Sequence, residues 1–323
     1  MQRLDLKIDP YADDIGHLGV ALVTLAEVVV PCLDAVRPQS IAEVGAYAGD
    51  LTRLLLQWAE RTGAKVIAID PAPQKELEEL NEQRPDLELI REPSPGSLST
   101  IEPPDVVIID GDHNYYTVSE ELRLIAERAP GGELPLLMLH DVCWPHGRRD
   151  DYFQPELIPE EYRQPIAPDA GLHPDEPGVH PEGMPYRWPA AREGGRRNGV
   201  LTAIEDFLSE RNGLRLAVVP AFFGFGIVWR ENAPWADAVA ETVALWDRNP
   251  LLERLEENRV RHLATHRYMA IEATREAERA RRKDELLRRI AGSRTFALAR
   301  LLSRMRGRGK PTLSENELRR ALD

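Results

Sequence analysis

Between residues 40 and 139 the chain alternates between two hydrophobic patterns. Short runs of β-branched and aliphatic residues occupy 40–44, 64–70, 87–91, 105–110 and 134–139, and between them apolar residues return every three or four positions over 50–62, 75–84 and 117–129. The first pattern is that of strands buried on both faces and the second that of amphipathic helices, so the stretch reads as successive βαβ units around a parallel sheet. A further helix is predicted at 199–210, followed by strands at 215–219 and 222–229. The turn between them, at Pro220 and Ala221, is so short that the two strands should pair as a hairpin. The pattern therefore predicts an α/β chain with a doubly wound, mostly parallel sheet of seven strands and an antiparallel hairpin at its edge.

Upstream, Ile15, Leu18, Leu22, Leu25, Val29 and Leu33 predict a helix over 10–36 that lies over the sheet. Downstream, Trp235, Val239, Val243 and Trp246 open a helical extension. From 143 to 198 no period survives among the Pro, Gly, His, Arg and Tyr residues, a length that compact domains seldom spend on connection alone. The expected organisation is an N-terminal helical cap (1–39), an α/β domain (40–230) carrying the irregular insertion 143–198, and a helical extension (231–323) with a basic tail.

Composition narrows this picture. With 42% hydrophobic and 29% charged residues, the 323-residue chain has the make-up of a soluble globular protein. No run approaches the roughly 20 apolar residues of a membrane span, and the start lacks the layout of a signal peptide. Two cysteines, Cys32 and Cys143, suggest neither a disulfide framework nor a thiolate metal site. A cytoplasmic location is the expectation. The net charge of −13 argues against wholesale nucleic-acid binding, although 13 basic residues against four acidic ones lie between 275 and 310. That asymmetry reads either as a solvated helix face or as a contact with an anionic surface or partner. The apolar positions interleaved there also suit pairing of subunits, so a homo-oligomer formed through the extension is expected.

The candidate chemistry sits where the strands end. Val106-Val107-Ile108-Ile109 stops in Asp110-Gly111-Asp112-His113, and the next strand stops in His140-Asp141. Open α/β sheets place ligands at the carboxyl edge, and adjacent strands about 4.8 Å apart let Asp110 share a site with His140 or Asp141. An oxygen-rich cluster of this kind suits Mg²⁺ or Mn²⁺, with a histidine ligand shifting preference toward Mn²⁺. Upstream, Glu43-Val44-Gly45-Ala46-Tyr47-Ala48-Gly49 forms a glycine turn between a strand and a helix, and Asp70 closes the second strand. Such a turn lets the backbone approach a ligand closely. An acid at its start suits an ammonium group, and one at the end of the second strand can accept both hydroxyls of a ribose.

At these residues the chain resembles the class I S-adenosylmethionine-dependent methyltransferases, whose first motif reads Glu/Asp-x-Gly-x-x-x-Gly. The resemblance implies a Rossmann-like methyltransferase sheet over about 41–229. It implies contacts from Glu43, Gly45, Ala46, Tyr47 and Gly49 to the methionine part of S-adenosylmethionine, from Asp70 to the ribose and from Ser94 to the adenine, with Asp110 bordering the same site. Ile109-Asp110-Gly111-Asp112-His113-x-Tyr115 followed by His140-Asp141 is similar to the branch that includes macrolide-sugar O-methyltransferases and cephalosporin-hydroxylase-like proteins. Carried over, Asp110 and Asp141 bind Mg²⁺, with His140 at the same centre, and His113 takes the proton of the acceptor hydroxyl. His140 departs from that branch, which often has a carboxylate there. On the residues alone, His113 as a mere cap of the following helix stays open.

The insertion leaves directly from these residues, so Trp144, Arg148, Arg149, Tyr152 and, at its far end, Asn198 are candidate acceptor contacts, or else fasteners of the loop. The leading expectation is O-methyl transfer to a small-molecule hydroxyl, on a sugar or glycosylated metabolite. The alternatives are a non-catalytic methyltransferase-like binding module acting through its helical tail, and a metal-dependent hydrolase using Asp110, His113, His140 and Asp141.

Overall fold

The computed structural model describes residues 22–305. The first part of the helix expected over 10–36 and the basic residues after 305 lie outside them. The chain groups into two compact units, Met1–Ala264 and Thr265–Asp323. The second is helical over its described residues, with the end of helix α8 (Pro250–Ala291) and α9 (Arg294–Met305). No helix among the described residues is long and apolar enough to cross a membrane.

In the first unit, α1 (Ala26–Val36) precedes β1 (Ser40–Val44), α2 (Asp50–Thr62), β2 (Lys65–Ile69), α3 (Lys75–Gln83) and β3 (Leu87–Ile90). A short helix, α4 (Ser94–Leu98), leads to β4 (Val106–Ile109), α5 (Tyr115–Arg128) and β5 (Leu136–His140). After the insertion come α6 (Val200–Ser209), β8 (Leu214–Val219), β9 (Phe225–Arg230) and α7 (Ala236–Val243). The seven strands are ordered β3-β2-β1-β4-β5-β9-β8, a doubly wound, Rossmann-like sheet. The hairpin does form the edge, but the strand that runs antiparallel is β9, one position in, where it pairs with both β5 and β8.

Alternation along each strand sends side chains to two cores. Ile41, Val106, Ile108, Leu136 and Met138 pack with α1, α2 and α7, whereas Ala42, Val44, Val107, Ile109 and Leu139 pack with α5 and α6. This two-sided burial is why the strands read as continuous apolar runs rather than alternating ones. The insertion 143–198 holds more order than its sequence suggested, including a small antiparallel pair, β6 (Ala170–Leu172) with β7 (Met184–Tyr186).

Register fixes the functional edge. Val44 lies opposite both Ile69 and Ile109, and Ile109 opposite Leu139, so four parallel strands finish flush. Gly45, Asp70, Asp110 and His140 therefore emerge at one level. Gly45 closes the seam: its N–H donates to the Ile69 carbonyl at 2.8 Å while the Asp110 N–H donates to the Val44 carbonyl at 2.8 Å. Its φ is +84°, and a Cβ there would sit 2.0 Å from the Asp110 carbonyl oxygen. No side chain fits without moving β4 from β1. We expect Gly45→Ala to cost about 3 kcal/mol in urea denaturation, from overpacking and positive-φ strain together; a loss well under about 1 kcal/mol contradicts the seam.

Candidate active site

A cleft of about 640 Å³ opens over this edge. Its lining includes Glu43, Gly45, Ala46, Tyr47, Asp70, Ser94, Asp110, His113, His140 and Asp141, so ten residues picked from the sequence share one cavity. Gly49 stands outside the lining. It caps α2 with φ +82°, and a Cβ there would meet Leu77 of α3 at 3.1 Å.

At the β4 and β5 ends, Asp110, His140 and Asp141 each offer a ligand atom, and these atoms lie within 4.8 Å of one another. His140 is buried, with Nδ1 3.0 Å from Asp110 Oδ1 and 3.4 Å from Asp141 Oδ2. Its Nε2 is 2.6 Å from the Phe222 carbonyl oxygen. Burial alone would push the His140 pKa down, but the charges of Asp110 and Asp141 and their hydrogen bonds hold it well above the usual imidazole value. Burial likewise opposes the charge on Asp141, yet His113 and His140 keep its carboxyl well below the ordinary range. Asp141 adopts φ +60°, an uncommon conformation for a residue with a side chain, and it turns the chain out of β5 into the cleft wall.

The donor set fits a divalent cation. Two carboxylates and one imidazole nitrogen converge, and the other imidazole nitrogen is fixed by a backbone carbonyl, the outer contact that orients metal-binding histidines. The Phe222 carbonyl is itself held in place. The Phe223 N–H donates to Glu256 Oε1 of α8 at 2.7 Å, and Gly224, with φ +89°, presses on Cys143 so closely that a Cβ would lie 2.4 Å from Sγ.

His113 reaches the same group, with Nδ1 3.2 Å from Asp141 Oδ2. Burial lowers its pKa, and Asp141, Asp110 and Asp151 more than offset this, so the net shift is upward. His113 is not the cap of α5. That place belongs to Asn114, whose side chain accepts the Thr117 N–H at 2.9 Å. Asp112 turns away from Asp110 to accept the Phe153 N–H at 3.0 Å and the Thr117 hydroxyl at 3.1 Å.

On the β1 and β2 side, Glu43 is buried and accepts the Thr52 hydroxyl at 2.6 Å. Burial, assisted by the charges of Asp110 and Asp70, pushes its pKa up to about 8. Asp70 accepts the Tyr47 N–H at 2.7 Å and the Ala72 N–H at 2.8 Å, which fixes its carboxylate at the mouth of the glycine turn. The Ser94 hydroxyl donates to Glu121, a buried carboxyl that the sequence reading missed.

None of the five acceptor candidates from the insertion lines the cleft. Arg148 is paired with Glu205 at 2.5 and 2.7 Å, and Arg149, fully buried, donates to the carbonyls of Ala190 and Pro177 at 2.6 and 2.8 Å. The Tyr152 hydroxyl donates to Asp150 at 2.8 Å, and Asn198 accepts the Asp150 N–H at 2.7 Å while donating to the carbonyls of Arg192 and Gly194. Trp144 packs with Met184, Phe223, Val260 and Ala264. These contacts fit the fastening role: Arg149 and Asn198 satisfy backbone groups of the loop, Arg148 and Tyr152 pair with carboxylates, and Trp144 packs in an apolar cluster. The residues it does bring to the cleft are others, among them His146, Asp151, Phe153 and Tyr186.

Residues 42–142 match a family model described as a methyltransferase domain. That stretch spans the glycine turn, Asp70, the end of β4 and His140-Asp141. No curated protein matches the chain. Among solved structures, a Podospora anserina methyltransferase bound to S-adenosylhomocysteine is similar at 14% identity and a TM-score of 0.42, over 69% of this chain and 85% of that one. The 1,6-didemethyltoxoflavin-N1-methyltransferase of Burkholderia thailandensis is similar at 15% identity and a TM-score of 0.36, over 63% and 75%.

Glu121 gives this side of the cleft a pH signature. Burial raises its pKa to about 8, and Oε2 has no hydrogen-bond partner among the described residues. Because the folded-state value lies above the unfolded one, the stability it contributes is fully present below about pH 4.5 and is lost as pH rises through about 8. Glu121→Gln removes this slope. Melting temperatures should therefore move in favour of the variant between about pH 5 and pH 9. A difference from wild type that stays constant across that range contradicts the buried carboxyl.

Proposed function

We propose that the chain is an S-adenosylmethionine-dependent methyltransferase that modifies a hydroxyl of a small molecule, a sugar or glycosylated metabolite, with a divalent cation at Asp110, His140 and Asp141 and His113 as the base. The observation that carries this reading is the flush strand edge, which puts a glycine turn with two acids and a carboxylate–imidazole cluster into one cleft. The match of residues 42–142 to a methyltransferase domain supports it.

When bound, the cofactor supplies an electrophilic methyl group and the cation supplies a positive charge beside the acceptor hydroxyl. The chain does the rest by position. Asp70, oriented by two backbone N–H groups, keeps lone pairs for a pair of ribose hydroxyls. Glu43 places a carboxyl where an ammonium group restores its charge. Asp141 holds His113 through Nδ1, so Nε2 is the nitrogen that accepts the hydroxyl proton. Burial around His140 and Asp141 keeps water from competing for the same groups.

Calorimetry with S-adenosylmethionine tests the cofactor half: Asp70→Ala should weaken binding about tenfold or more. Absence of binding, or binding untouched by that change, overturns the reading. For the chemistry, His113→Asn should lower kcat on the order of 100-fold without changing cofactor affinity, and a chelator should abolish turnover until Mg²⁺ or Mn²⁺ is restored. Turnover indifferent to both changes contradicts the assigned roles.

A further inference from the structure

Two buried atoms in the cleft wall, Nδ1 of His146 and Oδ1 of Asp151, have no hydrogen-bond partner among the described residues. His146 is only 4% exposed. A buried polar atom left unpaired loses its hydration without a replacement bond, and such exceptions in folded chains call for an explanation. Both residues flank the proposed base. The His146 ring stacks on His113 with centroids 5.0 Å apart and 12° between planes, and the Asp151 N–H donates to the His113 carbonyl at 3.0 Å. The edge of Tyr186 holds His146 from another direction, with centroids 5.0 Å apart.

The two atoms differ in what they accept. Burial drives the His146 pKa down to about 3, so its ring is neutral and carries one donor and one acceptor. Asp151, raised by burial to about 6, is chiefly an acceptor at neutral pH. A hydroxyl is the simple group that satisfies both, donating its one proton to the carboxylate and accepting from Nδ1–H of the imidazole. An apolar substituent there would leave both atoms unpaired.

We propose that the acceptor carries a second hydroxyl near the one that is methylated, and that His146 and Asp151 bind it. This rests on the methyltransferase reading and makes the two side chains specificity determinants for a polyhydroxylated acceptor. The proposed cofactor contacts Glu43 and Asp70 stand instead at the ends of β1 and β2.

The test uses the full chain with S-adenosylmethionine and Mg²⁺, reading S-adenosylhomocysteine release over a panel of sugars and phenols. Each compound is paired with a counterpart lacking one neighbouring hydroxyl. Removal of the second hydroxyl should lower kcat/KM at least about tenfold for the compound turned over. His146→Phe, which keeps a planar ring between His113 and Tyr186, and Asp151→Leu should each shrink that ratio to about threefold or less, with the cofactor dissociation constant unchanged. Two variants guard against one that fails to fold. Equal turnover of compounds with and without the second hydroxyl, or a ratio preserved in the folded variants, overturns the inference. Cofactor binding with no turnover anywhere in the panel overturns the hydroxyl acceptor itself, a failure that the ratio measurement does not mimic.

Discussion

The buried imidazole of His140 constrains much of the structure around it. Its two nitrogens face a carboxylate, Asp110, and a backbone carbonyl, that of Phe222. A charged or strongly polar group out of water is tolerated only when each of its hydrogen-bonding positions is filled, and losing one partner costs several times what the pair contributes. The consequences run outward. β4 and β5 must end in register to bring Asp110 beside His140, and β9 must run antiparallel so that the turn before it delivers the Phe222 carbonyl. Glu256 must reach from α8 to fix that turn.

The same register explains why one cleft holds two kinds of chemistry. Gly45 lets β1 and β4 close up until the Asp110 backbone occupies the space a side chain would need. The acids of β1 and β2 then stand next to the carboxylates and imidazoles of β4 and β5. Glu43 and Glu121 are pushed toward neutrality by burial, whereas Asp141 is held ionised by His113 and His140. Carboxyls forced apart in this way are characteristic of sites where groups play different roles.

Much of this could be read along the chain, and the part that could not has a physical reason. Strands packed on both faces announce themselves as apolar runs, so β1 to β5 and the hairpin were visible, as were Asp110, His113, His140 and Asp141 at their ends. The position of β9 was not, because a hairpin read locally says nothing about which of its strands meets β5. Inside the insertion, residue type left two roles open for Arg148, Arg149, Tyr152 and Asn198, ligand contact or fastening, and their bonds to Glu205 of α6, to Asp150 and to loop carbonyls fit fastening. His146 and Asp151 gave no signal, since what singles them out is the absence of a partner in three dimensions. Asn114, one residue beyond His113, took the helix cap and left the histidine for the cleft.

The account stands or falls on whether the Asp110, His140 and Asp141 group is a cation centre facing a bound methyl donor. Anomalous diffraction at the manganese edge, from crystals grown with Mn²⁺ and S-adenosylhomocysteine, tests this most directly. The account predicts one strong peak within about 2.0–2.4 Å of a carboxylate oxygen of Asp110, one of Asp141 and a nitrogen of His140, with the nucleoside in the same cleft beside Asp70. Manganese bound elsewhere while these three side chains keep only their mutual hydrogen bonds, or a nucleoside outside the cleft, would contradict it.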